Sequence, residues 1–296
     1  MSKSLSILLP TYNCDCTALI SELQQQCVAE GTNFEIIVAD DASPDKRFII
    51  KNRTISNLDG VRYIERKQNV GRSAIRNYLV SQSSKEWILF IDGDLSLNNA
   101  KFIHNYLQAE GDVIVGGISI VENEKRWGNN LRYRYEHSSK EAISAENRRK
   151  TPYQHLSTNF IANRKLIGKN PYNEDIKQYG FEDVLLGKRF KALNAKINHI
   201  DNPVLFNDFE LNAVFLCKTE EALRTLSTFQ TELKGYSNLL KITGKLQKMH
   251  ISWIGVWLYN FLHKPLKHNL KGNNPSVFLF NIYKLLYFLH YNSIRK

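Results

Sequence analysis

The sequence lacks an apolar stretch long enough to be a clean transmembrane helix, and the apolar run within Met1 to Pro10 is far too short for a signal peptide. It is poor in cysteine. Cys14, Cys16, Cys27 and Cys217 form no C-x-x-C pair and no metal-ligand spacing, so neither a disulfide framework nor a zinc site is indicated, and reduced thiols in a cytoplasmic protein are expected. There is no internal repeat and no low-complexity segment. Helix-turn-helix, zinc and RNA-binding signatures are missing as well, which argues against nucleic acid as the partner.

What is present bounds the answer further. A chain of 296 residues with 43% hydrophobic residues can bury a sizeable core, in one large domain or one domain with an appendage. Forty Lys and Arg against 29 Asp and Glu leave a net charge of +11, which favours an anionic partner, whether nucleotide, nucleic acid or acidic membrane surface, and charge alone does not choose among them.

The most informative stretch is Glu86-Trp87-Ile88-Leu89-Phe90-Ile91-Asp92-Gly93-Asp94, an apolar run that stops at two carboxylates around a glycine. It is too short for an ordinary helix and rich in β-branched and aromatic residues, so it predicts a strand buried on both faces of a parallel sheet. Ligands bind at the carboxyl edge of such a sheet, and two nearby oxygen ligands there suit Mg²⁺ or Mn²⁺ carrying a diphosphate. The plainer alternative is a strand followed by an Asp-Gly turn.

Taken in order, Leu5 to Leu9 is a strand stopped by Pro10, Ala18 to Glu30 a helix, and Phe34 to Ala39 a second buried strand ending in Asp40 and Asp41. Arg47 to Leu58 is predicted helical, Val61 to Glu65 a strand, and Asn69-Val70-Gly71 opens a helix from Arg72 to Ser83. This is the β-α alternation of a doubly wound sheet. Asn99 to Ala109 is a further helix, followed by strands at Asp112 to Gly117 and Ile118 to Val121. From Glu122 to Tyr153 the chain is polar, arginine-rich and aromatic, the composition of either a solvated helix-loop or a flap over an anionic ligand. Leu156 to Ile161 reads as extended, Gly180-Phe181-Glu182-Asp183 leads a helix ending near Leu193, and Lys196 to Ile200 returns as a strand.

The tail differs. Leu211 to Leu233 predicts a helix, while Ile251 to Leu262 and Val277 to Tyr291 are apolar, aromatic and flanked by lysine. Neither spans a bilayer. Both suit its interface, with rings at the headgroups and Lys264, Lys267, Lys271, Lys284, Arg295 and Lys296 near acidic lipid. The alternative is packing on the preceding domain or on a second subunit as a homodimer.

Five motifs now stand in order: Leu9-Pro10-Thr11-Tyr12-Asn13, Val38-Ala39-Asp40-Asp41-Ala42-Ser43, Asn69-Val70-Gly71 with Ala74 and Arg76-Asn77, Phe90-Ile91-Asp92-Gly93-Asp94, and Gly180-Phe181-Glu182-Asp183 with Gly187 and Arg189. Together they resemble the family-two glycosyltransferases of the GT-A fold, bacterial glycan-biosynthesis type, over roughly Ser4 to Leu226. The fold class the resemblance implies is α/β, a GT-A, Rossmann-like, mostly parallel sheet flanked by helices, with a C-terminal helical extension. The expected domains are 1–210, with a nucleotide-binding half to about 117 and an acceptor half over 118–210, and a helical, membrane-associated region over 211–296.

The resemblance also implies a chemistry: transfer of a sugar, with inversion, from a nucleotide diphosphate donor to a saccharide or lipid-linked saccharide acceptor. Asp94 and Asp92 match the metal-diphosphate motif, with Asp94 as the direct ligand of Mn²⁺ or Mg²⁺. Asp40 or Asp41 matches the acceptor of a hydrogen bond from the base ring, which points to a UDP-sugar because uracil N3–H is a donor. Pro10, Thr11, Tyr12 and Gly93 would line the nucleotide pocket, and Arg72 and Arg76 match positions near its phosphates. Asp183 matches the general base and Glu182 an acceptor-binding partner, although acids in a first helical turn also stabilise the helix by themselves.

One departure stands out. Phe206 occupies the place where many relatives carry a histidine that completes the metal site, which leaves Asn207, Asp208 or His199 as substitutes. Two rival classes remain: a haloacid-dehalogenase-type phosphatase built on Asp92-Gly93-Asp94, and a basic nucleic-acid-binding protein. The expected location is the cytoplasm, peripheral on the inner membrane's cytoplasmic face.

Overall fold

The structure is a computed structural model that describes residues 3–295. In chain order the first elements are β1 (Leu5–Thr11), α1 (Thr17–Ala29), β2 (Phe34–Asp40), α2 (Lys46–Arg53), β3 (Val61–Glu65), α3 (Arg72–Gln82), β4 (Trp87–Phe90) and α4 (Phe102–Gln108). There follow β5 (Val113–Val115), β6 (Ile118–Ile120), α5 (Glu124–Trp127), α6 (Leu131–Ser138), α7 (Ala145–Lys150), β7 (Phe160–Asn163), α8 (Arg164–Ile167), α9 (Glu182–Ala192), β8 (Ile197–His199) and β9 (Val204–Phe206). Four helices close the chain: α10 (Asn212–Thr228), α11 (Asn238–Lys248), α12 (Ser252–Lys271) and α13 (Val277–Ile294).

The chain packs as two compact units. The first runs up to Val121 and adds Lys140–Lys177 and Glu182–Asp208; the second comprises Glu122–Ser139, Gln178–Phe181 and Phe209 onward.

In the first unit a seven-stranded sheet has the order β3-β2-β1-β4-β7-β5-β8. Every pairing is parallel except those of β7, which runs antiparallel to both β4 and β5. The mostly parallel α/β sheet is as the sequence predicts. The central strands are apolar on both faces because both faces are covered, and Ile7, Leu8, Leu9, Ile36, Ile37, Val38, Leu89 and Phe90 are essentially inaccessible. A short parallel pair, β6 with β9, forms a second sheet.

Strand order fixes where a ligand goes. The chain builds outward from β1 through β2 to β3, then crosses to the other side of β1 for β4, so the edge beyond β1 and β4 is a topological switch point.

Several boundaries differ from expectation. β1 does not stop at Pro10 but runs to Thr11, in register with Ala39 and Asp40 of β2. Pro10 accepts from the Gly93 N–H (3.2 Å), so its polar edge faces the β4 side beyond the last β1–β4 pair, Leu8 with Phe90, and its missing N–H breaks no ladder there. The stretch Leu156 to Ile161, expected to be extended, enters the sheet only at Phe160, as an antiparallel strand. α11 has no counterpart in the sequence reading, and α12 continues through Pro265 to Lys271.

In the second unit α13 is a core helix. Phe280, Tyr283, Leu286, Tyr287, Phe288 and Leu289 are buried, so packing rather than lipid accounts for its aromatic character. Two of the lysines expected to face lipid are turned inward: Lys267 pairs with Glu220 at 2.9 Å, and Lys284 lies over the rings of Tyr135 and Phe280. Burial pushes the Lys284 ammonium down to about 8. Among the described residues no helix is long and apolar enough to cross a membrane. All four cysteines are free thiols, with Cys16 and Cys27 in the core.

Candidate active site

The carboxyl ends of β1, β2 and β4 deliver Thr11, Asp40 and Asp92 to one edge of the sheet. Gly93 makes the close approach possible: a Cβ there would lie 2.5 Å from Thr11 Cγ2. The turn is pinned by the Asp92 N–H, which donates to Thr158 Oγ1 (2.9 Å), and by Asp41 N–H, which donates to the Thr11 carbonyl (2.9 Å).

Asp40 and Asp41 are both buried and both hold loops. Asp40 accepts from the Ser43 N–H (2.7 Å) and hydroxyl (2.6 Å). Asp41 accepts from the backbone N–H groups of Val70 and Gly71, each at 3.0 Å, and so fixes the Asn69-Val70-Gly71 loop that opens α3. Tyr12 stands half-exposed at the rim.

The first turns of α3 bring two arginines against the acids. Arg76, almost wholly buried, donates to Asp92 at 2.5 Å and lies 3.8 Å from Glu182. Arg72 donates to Glu182 at 2.7 Å and to the other Asp92 oxygen at 3.1 Å, joining residues 110 positions apart. Arg76 is therefore an internal counter-ion in this structure, while Arg72 keeps part of its side chain in solvent. Tyr172 completes the floor, its ring 5.5 Å from the Arg76 guanidinium and its buried hydroxyl without a hydrogen-bond partner among the described residues. Neither Thr158 nor Tyr172 was singled out from sequence. A lone Thr and a lone Tyr in a polar segment carry no pattern that would reveal them.

This arrangement splits the titration of three neighbouring acids. Burial works to raise Asp92 and Glu182, but Arg76 and Arg72 outweigh it and hold both below the usual carboxylate range. Asp183, next along the first turn of α9, is pushed up to about 6 by burial and by the charge of Glu182. The helix N-terminus acts the other way and loses. A carboxylate that titrates near 6 is matched to accept a proton at neutral pH.

α9 is set by close packing at Gly187, where an added Cβ would come 2.0 Å from the Tyr153 carbonyl oxygen. Gly187→Ala is expected to destabilise the protein by about 1–3 kcal/mol through overpacking, despite alanine's better helix propensity. Urea denaturation reads this; a midpoint equal to or above wild type would show that the contact relaxes freely.

For a metal, the structure offers little protein. Among the described residues no group of three His, Cys, Asp or Glu is placed to hold an ion. Asp94 is exposed, Asp92 has both oxygens on arginines, and Phe206 is buried in β9. His199 is no substitute: it is buried, its Nε2 faces the Pro152 carbonyl (2.9 Å) and its Nδ1 accepts from Arg148 Nε (3.2 Å). Burial drives its pKa down to about 4, so it is a neutral structural group. Asn207 donates to Ser96 Oγ at 2.9 Å. One or two carboxylates with the remaining positions filled by a ligand's phosphates is nonetheless how Mg²⁺ is commonly held, so the site fits an ion that arrives with a diphosphate.

Comparison with known proteins gives a consistent picture. The sequence profile of glycosyl transferase family 2 matches residues 6–169, more than half of the chain. An uncharacterized glycosyltransferase of Haemophilus influenzae is 33% identical over 92 residues, covering 30% of this chain and 29% of the relative. The poly(ribitol-phosphate) beta-N-acetylglucosaminyltransferase TarS of Staphylococcus aureus is 34% identical over 97 residues, 31% of this chain and 16% of TarS. The matched segments thus span less than a third of these curated relatives. In structure, residues 1–349 of S. aureus TarS superpose with a TM-score of 0.52 at 18% identity, covering 99% of this chain and 91% of that one. The mannosyltransferase PcManGT of Pyrobaculum calidifontis, solved with GDP-Man and Mn²⁺, gives 0.56 at 12% identity over 100% and 87%. At these identities the likeness concerns the fold, which is GT-A.

Proposed function

Because the chain belongs to glycosyl transferase family 2, we propose that it is an inverting, metal-assisted glycosyltransferase that moves a hexosyl or N-acetylhexosaminyl group from a UDP-sugar to a glycan acceptor. The observation that carries this is the acid cluster at the switch point, in which Arg72 and Arg76 bind Asp92 and Arg72 binds Glu182, while Asp183 beside them has no such partner among the described residues and is pushed up to about 6 by burial and the Glu182 charge. The family match ends at residue 169 and does not reach α9, so the role of Asp183 rests on the Gly180-Phe181-Glu182-Asp183 resemblance and on this geometry.

In this reading the acceptor hydroxyl gives its proton to Asp183 as its oxygen attacks the anomeric carbon, and the diphosphate leaves from the opposite face. Glu182, oriented by Arg72, holds an acceptor hydroxyl. Pro10, Thr11, Tyr12 and Gly93 line the nucleotide pocket, where a second lone pair on Asp40 or Asp41 accepts uracil N3–H. Asp94, with Asp92 behind it, would hold Mn²⁺ or Mg²⁺, and such an ion supplies charge stabilisation to the departing diphosphate. A structural neighbour, TarS, is solved with UDP-GlcNAc, and relatives in Staphylococcus and Bacillus are named for transfer to poly(ribitol-phosphate).

The phosphatase alternative would need a free Asp92 as nucleophile. Both its oxygens are engaged by guanidinium groups, which disfavours it.

The test is release of UDP from UDP-GlcNAc and UDP-glucose with and without Mn²⁺. Asp94→Asn, which keeps the side chain's shape and removes its charge, is expected to abolish metal-supported transfer with no change in thermal stability. Full activity in that variant, or equal activity in excess chelator, would remove the metal from the mechanism.

A further inference from the structure

The charge of this chain is concentrated at one end. After Glu232 there is no Asp or Glu, while ten Lys and Arg follow; the preceding residues carry 30 basic against 29 acidic groups and are close to neutral. Nearly all of the net +11 therefore belongs to the helices α11 to α13 and their connections. Folding does not neutralise this excess. Lys267 and Lys284 are absorbed internally, but Lys241, Lys245 and Lys248 of α11 and Lys264 and Lys271 of α12 are exposed.

The same region exposes large aromatic side chains. Trp253, Phe261 and Trp257 of α12 are 65%, 63% and 54% accessible, although buried packing was open to them on the opposite side of the helix, which Gly255, Tyr259, Leu266 and Leu270 occupy. At 100° per residue Trp253, Trp257, Phe261, Lys264, His268 and Lys271 fall on one side of α12, the aromatics in its first half and the basic groups in its second. Trp253 and Trp257 also wall a groove of about 420 Å³ floored by Phe288 and Leu289. A solvated helix does not need three exposed rings, and a soluble polyanion would use the lysines but not the rings.

We infer that the exposed side of α12 docks in the interface of an anionic lipid bilayer. The rings of Trp253, Trp257 and Phe261 sit at the boundary of headgroups and acyl chains, the groove beneath the tryptophans accepts an acyl segment, and the lysines of α11 and α12 lie among the anionic headgroups. α12 lies in the membrane plane, since none of the described helices is apolar enough to cross. An acceptor carried on lipid would then reach the enzyme by diffusion in two dimensions.

The test uses the full chain and two vesicle preparations, phosphatidylcholine alone and an equimolar mixture with phosphatidylglycerol. Cosedimentation is expected only with the anionic vesicles, weakening as salt shortens the Debye length. Trp253→Ala with Trp257→Ala is expected to lower that binding by about tenfold or more, with thermal stability and UDP binding unchanged, because both rings are exposed and remote in sequence from the acid cluster. A blue shift of tryptophan emission on binding, absent in the double variant, reports the rings entering the bilayer. The inference is overturned if the intact protein ignores anionic vesicles at low salt, or if the double variant binds them as well as wild type. It is also overturned if wild type is a dimer that the double variant dissolves without any vesicle binding, which would make this face a contact between copies. Binding to soluble polyphosphate as tight as to vesicles, and indifferent to the tryptophans, would assign the charge to a phosphopolymer instead.

Discussion

Asp183→Asn is expected to lower turnover by about 10²-fold or more while UDP still binds near normally, the scale of loss for a positioned general base. Donor binding is the internal control, because α9 enters the reading only through the acceptor. The pH profile is a second signature. As a base Asp183 must be deprotonated, and with its pKa raised to about 6 the wild-type rate should fall as pH drops through 6 and level off above it.

Stability should move the other way. The folded-state pKa of Asp183 lies above its ordinary value, so the neutral form's advantage is present below the unfolded pKa and is lost as pH rises through about 6. At neutral pH the charged carboxylate costs stability that asparagine relieves. The variant should be nearly inactive yet at least as stable as wild type by urea denaturation at pH 7.5. Wild-type turnover in Asp183→Asn, or a rate flat between pH 5 and 7, would place the base elsewhere.

The second large effect is on folding. Arg76→Leu removes a buried cation and leaves Asp92 and Glu182 without it, a change expected to cost about 3–5 kcal/mol because an uncompensated buried charge is far worse than no pair at all. Arg72→Leu is the comparison. Arg72 is partly in solvent, but its partner Glu182 is buried, so its loss should cost less than that of Arg76, about 1–2 kcal/mol in stability. Arg76→Lys keeps the charge but not the two-pronged geometry and should recover only part of the loss. If Arg76→Leu unfolds within about 0.5 kcal/mol of wild type, the arginine is not holding this cluster together.

Local pattern was enough to place most elements of the catalytic sheet. Val61–Glu65 coincides with the sequence prediction, and α3 and α9 agree to about a residue, since apolar runs broken by Gly, Pro and acids are signals that neighbours in the chain supply. The same signals misjudged Pro10, because whether a proline ends a strand depends on which neighbour its missing N–H would have met. They also overlooked α11, where Lys241, Lys245 and Lys248 recur at helical spacing among Leu239, Leu240, Ile242 and Leu246, so that no continuous apolar run stands out.

The sequence by itself determined that carboxylates end successive buried strands, that an acid pair opens a late helix, and that the family is glycosyl transferase 2, all properties of residue order. Only the tertiary structure decided that β1 lies between β2 and β4, that β7 enters the sheet in reverse, and that Arg72 and Arg76 bind Asp92 and Glu182. It alone separated Asp183, a carboxyl raised to about 6, from the two neighbours kept charged, and made His199 a neutral strut. The reason is that desolvation and Coulomb attraction depend on what packs around a group, and residues that meet across 110 positions of chain leave no mark of that meeting in either local stretch.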